Sequence, residues 1–121
     1  MTGSRSVTST RGKVVLVPFP FDDLSGTKVR PAVCLTEPVG AHRHVVLAFI
    51  TSQVPSPPEL TDLVLLPGSA DFARTGLRIA SAIRLHRLMT VSTSVITRDV
   101  GDLTPTLQGQ IEERLRRLFA L

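Results

Sequence analysis

The sequence predicts a mainly β domain, a small barrel of five or six short strands with one helix laid against it near the C-terminal end. Three observations carry this expectation. Apolar runs of strand length recur at residues 14–17, 32–35, 44–50 and 63–66, separated by stretches rich in Pro, Gly, Ser and Asp. Helical spacing is clearest in one long segment, residues 105–119. The 121 residues, 42% of them hydrophobic, give room for one domain with a real core. Residues 1–11 read as a flexible tail and residues 12–121 as the domain.

The first strand, VVLV at residues 14–17, is apolar and β-branched, and Pro18 and Pro20 mark its end. Residues 21–29 form a mostly polar loop, after which PAVCL resumes an apolar strand. Arg30 stands immediately before Pro31, and proline pushes the preceding residue towards extended geometry, so its side chain is aimed by a strand. Residues 36–43 are turn-like, and residues 44–50 (HVVLAFI) form the third strand, ended by Thr51, Ser52 and Gln53. Three prolines make residues 54–59 a loop, and residues 63–66 are a short strand stopped by Pro67 and Gly68. A helical turn fits residues 69–76, with Ser69 or Asp71 as cap and Gly76 as stop.

Residues 78–89 (RIASAIRLHRLM) are ambiguous. As a strand they set Ile79, Ser81, Ile83 and Leu85 on one face and Ala80, Ala82, Arg84 and His86 on the other. As a helix they set Ile79, Ile83 and His86 on one side. Residues 91–98 read as a further strand closed by Gly101 and Asp102. In the last helix Thr104 caps and Pro105 suits the first position. Leu107, Ile111, Leu115, Leu118 and Phe119 form its apolar face, and Glu112 with Arg116 and Glu113 with Arg117 are spaced as outer i,i+4 pairs.

Composition narrows the function. A net charge of +4 and a pI near 10.6 favour a polyanionic partner such as nucleic acid. With five Phe and no Tyr or Trp, a broad base-stacking platform is not expected. The single cysteine, Cys34, excludes an intrachain disulfide, suits a reducing cytoplasmic setting, and reads as a buried small hydrophobe. No apolar run approaches the ~20 residues of a membrane span, and no secretory h-region follows the basic N-terminus.

The run VVLVPFPFDDLSGTKVRPAVCL resembles the N-terminal signature of the PemK/MazF-like toxins of toxin–antitoxin systems. FITSQ at residues 49–53 and TGL followed by SAIRLHRLMTV at residues 75–91 agree with it in order, and the resemblance spans about residues 12–119. It implies an SH3-like barrel of five to seven strands with a C-terminal α-helix, which resolves residues 78–89 as strand. It further implies a homodimer that cuts single-stranded RNA, mRNA in particular, without metal or cofactor, and a cognate antitoxin as partner.

RNA carries its own nucleophile, the 2′-OH. A protein can promote its attack by orienting the backbone and stabilising the developing charge, leaving a 2′,3′-cyclic phosphate. The family arginine before the proline maps onto Arg30, whose guanidinium offers several donors to phosphate oxygens and stays charged. The family hydroxyl at the end of the third strand maps onto Thr51, with Ser52 as the neighbouring alternative. Phe21, Ser25, Gly26 and Lys28 of the loop, with Gln53 and Arg84, are candidates to bind the RNA. The loop departs from relatives that carry a Glu-Gln pair there, which leaves base preference open.

Structural readings stand beside these. Arg30 can pair with Asp22 or Asp23 at the surface, and Thr51 and Ser52 can simply begin a turn. His42, His44 and His86 lack carboxylates at ligand spacing, so no metal site is predicted. A non-catalytic RNA-binding barrel and a protein-interaction module are the alternatives to the enzyme.

Overall fold

A computed structural model describes residues 10–19 and 28–121. Six strands follow in order: β1 (Lys13–Phe19), β2 (Lys28–Cys34), β3 (His44–Thr51), β4 (Asp62–Leu65), β5 (Ser81–Ser92) and β6 (Arg98–Asp102). Two helices, α1 (Ala70–Arg74) and α2 (Pro105–Phe119), complete the domain. The strands form one antiparallel sheet in the order β4-β5-β3-β2-β1-β6, curled into a half-barrel with α2 packed against it. The expected mainly β fold with a C-terminal helix is therefore the observed one.

Both faces of the curled sheet are covered. Val14, Val33, Ala48, Ile50, Ile83 and Leu85 point to one side and pack with Phe72 of α1 and Leu107 and Ile111 of α2. Val15, Val17, Ala32, Cys34, Val45, Leu47 and Phe49 point to the other and pack with Met89, Val91 and Ile96. Two buried faces require consecutive apolar residues, which is why VVLV, PAVCL and VVLAFI are runs and not alternations. Cys34 lies in the second cluster, and burial pushes its thiol up to about 11.

Three boundaries differ from expectation. Lys28 and Val29 belong to β2, paired with Phe19 and Pro18, so β1 continues through Pro18. The strand expected at residues 78–89 begins only at Ser81 and runs to Ser92, leaving Ile79 59% exposed. The strand expected at residues 91–98 is the end of β5, a 3-10 turn at Thr93–Val95 and the start of β6. Within β5 the register is broken by a bulge. Ala48 pairs with Leu88 while the next residue, Phe49, pairs with Arg84, so Leu85, His86 and Arg87 have no opposite number on β3. Such a bulge bends the strand and breaks its two-residue period. The first half of β5 thereby also pairs with β4, and the second half continues along β3.

The turn at α1 forms as the sequence suggests: Ser69 Oγ accepts the Phe72 N–H, and Gly76 takes φ +76° just beyond. Gly76 and Gly101 let this corner touch β6 directly. A Cβ on Gly76 would meet the Val100 carbonyl, and one on Gly101 the Thr75 carbonyl.

Helix α2 is capped by Thr104, whose hydroxyl accepts the Leu107 N–H, with Pro105 at its first turn. Leu107 and Ile111 are buried, but Phe119 is 55% exposed at the C-terminal end, where Ala120 adopts φ 58° and the Leu121 N–H closes the helix on the Arg116 carbonyl. Glu113 pairs with Arg117 at 3.5 Å, whereas Glu112 pairs not with Arg116 but with Arg11 at 2.6 Å. Thr10, next to Arg11, also bonds outward, its N–H and hydroxyl reaching Glu37 and the Thr36 carbonyl. Gly109 faces open space. Gly109→Ala is therefore expected to stabilise the protein by about 0.5–1 kcal/mol through helix propensity alone. Urea titration checks this, and a loss of stability would mean that the position is packed.

Candidate active site

The site lies where the second apolar cluster runs out towards one end of the sheet. Ala32 of β2 pairs with Phe49 of β3, and continuing that register by two residues sets Arg30 across from Thr51. On the other side of β3, Phe49 pairs with Arg84 and Thr51 with Ala82. Residues directly opposite share a face, so Arg30, Phe49, Thr51 and Arg84 all project to one side. They line an open cleft of about 340 Å³, together with Ile50, Ser52, Gln53 and Arg87. Five of the nine sequence candidates thus meet there: Arg30, Thr51, Ser52, Gln53 and Arg84.

Arg30 is half-buried and leaves from the middle of β2, whose flanks are β1 and β3. That placement restricts it far more than a loop would. Thr51 Oγ1 accepts the Gln53 N–H at 3.0 Å, which turns the chain out of β3. That bond uses the oxygen as acceptor and leaves the hydroxyl hydrogen to donate into the cleft. The turn-forming role and the cleft-facing role of Thr51 therefore coexist. Ser52 and Gln53 are exposed at the rim.

Arg84 is held. Its Nε donates to Asp62 Oδ1 at 2.9 Å and its Nη2 to Oδ2 at 3.4 Å. Burial alone would raise the Asp62 carboxyl. The Arg84 hydrogen bond, the Glu59 N–H and the nearby Arg84 and His86 charges outweigh it and hold the group below its ordinary range. The associated stability is present at neutral pH and is lost as acid protonates Asp62.

Arg87 was not a sequence candidate. Strict alternation sets it opposite to Arg84, but the bulge carries it to the same cleft, giving three arginines around one opening. Asp62 was missed too, because an acidic residue at the head of an apolar run reads as solvated. Lys28 lies at the exposed start of β2 and does not line the cleft. Phe21, Ser25 and Gly26, and the possible Arg30 partners Asp22 and Asp23, lie outside the described residues.

The histidines are dispersed. His86 Nδ1 shares a 2.7 Å hydrogen bond with Thr61 Oγ1, while the His42 and His44 rings stack on each other at 5.8 Å. Among the described residues no three His, Cys, Asp or Glu side chains gather as a metal-binding group. No described helix is long and apolar enough to cross a membrane.

A curled six-stranded antiparallel sheet, backed by a C-terminal helix and opening on an arginine-lined cleft, defines a class of small β domains suited to a polyanion. Within that class the chain belongs to the PemK-like, MazF-like toxins of type II toxin–antitoxin systems, the family it matches over residues 10–119. The fold is similar to that of the Mycobacterium tuberculosis toxin MazF-mt6, with TM-score 0.67 and 20% identity, covering 90% of this chain and 97% of that one. It is likewise similar to MazE-MazF from Deinococcus radiodurans, with TM-score 0.68 and 15% identity over 94% and 98% of the two chains. An endoribonuclease in complex with its cognate antitoxin, from a mycobacterial species, gives TM-score 0.65 and 18% identity over 92% and 94%. No curated protein matches the chain by sequence.

Proposed function

We propose that this toxin is a metal-independent endoribonuclease that cuts single-stranded mRNA at specific sequences. The observation that carries the proposal is the shared cleft of Arg30 and Thr51, on neighbouring strands of a rigid sheet. An RNA strand laid along it presents a phosphate to Arg30. The 2′-OH of the preceding ribose attacks the phosphorus, the P–O5′ bond breaks, and a 2′,3′-cyclic phosphate and a 5′-OH result. Arg30 neutralises the charge that builds on the non-bridging oxygens, and Thr51 donates a neutral hydrogen bond to the same group. Ser52 is the alternative donor. Gln53 and Arg84, with Lys28 at the start of β2 and Phe21, Ser25 and Gly26 from the β1–β2 connection, bind the strand on either side.

The toxin acts in the cytoplasm as a homodimer, and its antitoxin blocks it by laying an acidic segment over the basic cleft. Solved relatives in complex with MazE or a cognate antitoxin support the second part. The test is incubation of purified protein with mixed-sequence single-stranded RNA in excess EDTA. Cleavage with cyclic phosphate ends is expected. Cleavage that EDTA abolishes would overturn the metal-independent mechanism, and salt-sensitive binding without cleavage would leave a binding module.

A further inference from the structure

Asp62 is the one acidic or basic residue among the buried described residues, and its side chain is 0% exposed. Its carboxylate is fully engaged, by Arg84 Nε and Nη2 and by the Glu59 N–H at 2.8 Å. Its own carbonyl accepts Arg114 Nε of α2 at 3.2 Å. Stability alone is a weak reason for such a pair, since two hydrophobic residues of similar volume serve a fold as well. Position is a stronger one. Arg84 is the last residue of β5 before the bulge, paired with Phe49 on one side and with Asp62 on the other, and it lines the same cleft as Arg30 and Arg87.

A guanidinium is planar, so fixing one edge fixes the others. Asp62 takes the Nε and Nη2 edge, and Nη1 of Arg84 has no partner among the described residues. Arg84 is one-quarter exposed, with the rest of its surface covered. We propose that Asp62 is a positioning residue that holds Arg84 as a second phosphate subsite. Nη1 of Arg84 takes a backbone phosphate flanking the one that is cut. This inference rests on the RNA-cleaving reading above, and it gives that reading a two-point grip on the strand: Arg30 at the reacting phosphate, Arg84 beside it.

The test uses a fully 2′-O-methylated, mixed-sequence single-stranded RNA, which binds but cannot be cut, and measures Kd against salt concentration. In Asp62→Leu/Arg84→Met an apolar pair replaces the ionic one, so folding is retained. The slope of log Kd against log salt is expected to fall by about 0.7, the share of one phosphate contact on a single strand. Kd is expected to weaken about 10-fold, as for the loss of a charge-assisted hydrogen bond. Arg84→Lys keeps the net charge and the contact with Asp62 but has no second edge to offer, and it is expected to show the same loss. Asp62→Asn should weaken binding when Arg84 is present and change nothing further once Arg84 is Met, because Asp62 acts only through Arg84. If wild type binds with a salt-dependent Kd and Arg84→Lys matches it in slope and affinity, the subsite is overturned and the RNA reading survives. If wild type does not bind, both are overturned. Should the double variant fail to fold, Arg84→Lys decides alone.

Discussion

Arg30→Ala is expected to cut RNA about 100- to 1000-fold more slowly than wild type while keeping the fold, the range seen when a donor aimed at developing charge is removed. The size of the effect follows from what the reaction needs. The nucleophile and the leaving group both belong to the RNA, so the protein contributes alignment and charge neutralisation and little else. Arg30 is the cleft cation on β2, the strand whose register leads across to Thr51. Its removal should depress kcat more than affinity, since Arg84 and Arg87 still line the same opening. Arg30→Lys should recover part of the loss, because a point charge remains but the fork geometry does not. Thr51→Ala should cost less, about 10-fold, as befits one neutral hydrogen bond. Steady-state cleavage of a defined substrate, with melting temperatures alongside, checks all three. An Arg30→Ala protein that is folded and cuts at the wild-type rate would remove the charge-stabilising role altogether.

The second large effect concerns the fold. Gly76→Ala should destabilise the protein by several kcal/mol, out of the roughly 5–15 kcal/mol that a domain of this size possesses. Two costs combine. A left-handed backbone at φ +76° carries a penalty of about 1–2 kcal/mol for any residue with a Cβ. The added atom also meets the Val100 carbonyl, part of a ladder strand that cannot move aside cheaply. Gly68→Ala separates the two costs, because Gly68 has φ +109° but open space around it. Denaturant midpoints should place Gly76→Ala well below Gly68→Ala. Equal midpoints would show that the α1–β6 contact has slack.

The sequence announces most of this fold, for a reason visible in the core. Strands β1, β2 and β3 bury both faces, so their apolar runs are dense and easily seen. Helix α2 announces itself through Thr104, Pro105 and its spaced leucines. The obscured part is β5. Its bulge inserts three residues without a turn signal, so alternation misplaces Arg87, while Ile79 is misplaced because the strand begins only at Ser81. At the site, Arg30 is legible because Pro31 fixes its strand geometry, and Thr51 because it ends a run. Asp62 and its pairing to Arg84 depend on a contact between residues 22 positions apart, which no local pattern encodes.

The pairing of β1 with β6 sets how the molecule comes into being. Lys13 lies against Asp102, and the Gly12 carbonyl accepts the Leu103 N–H, so β1 finds one of its two neighbours only after β2 to β5 have been made. Closing so long a loop is entropically slow, and topologies dominated by distant pairs fold in milliseconds to seconds. On the ribosome β1, β2 and β3 can assemble while β6 is still unmade. A nascent chain at that stage exposes an unpaired β1 edge, and its sheet is complete only once β6 has been made and has docked.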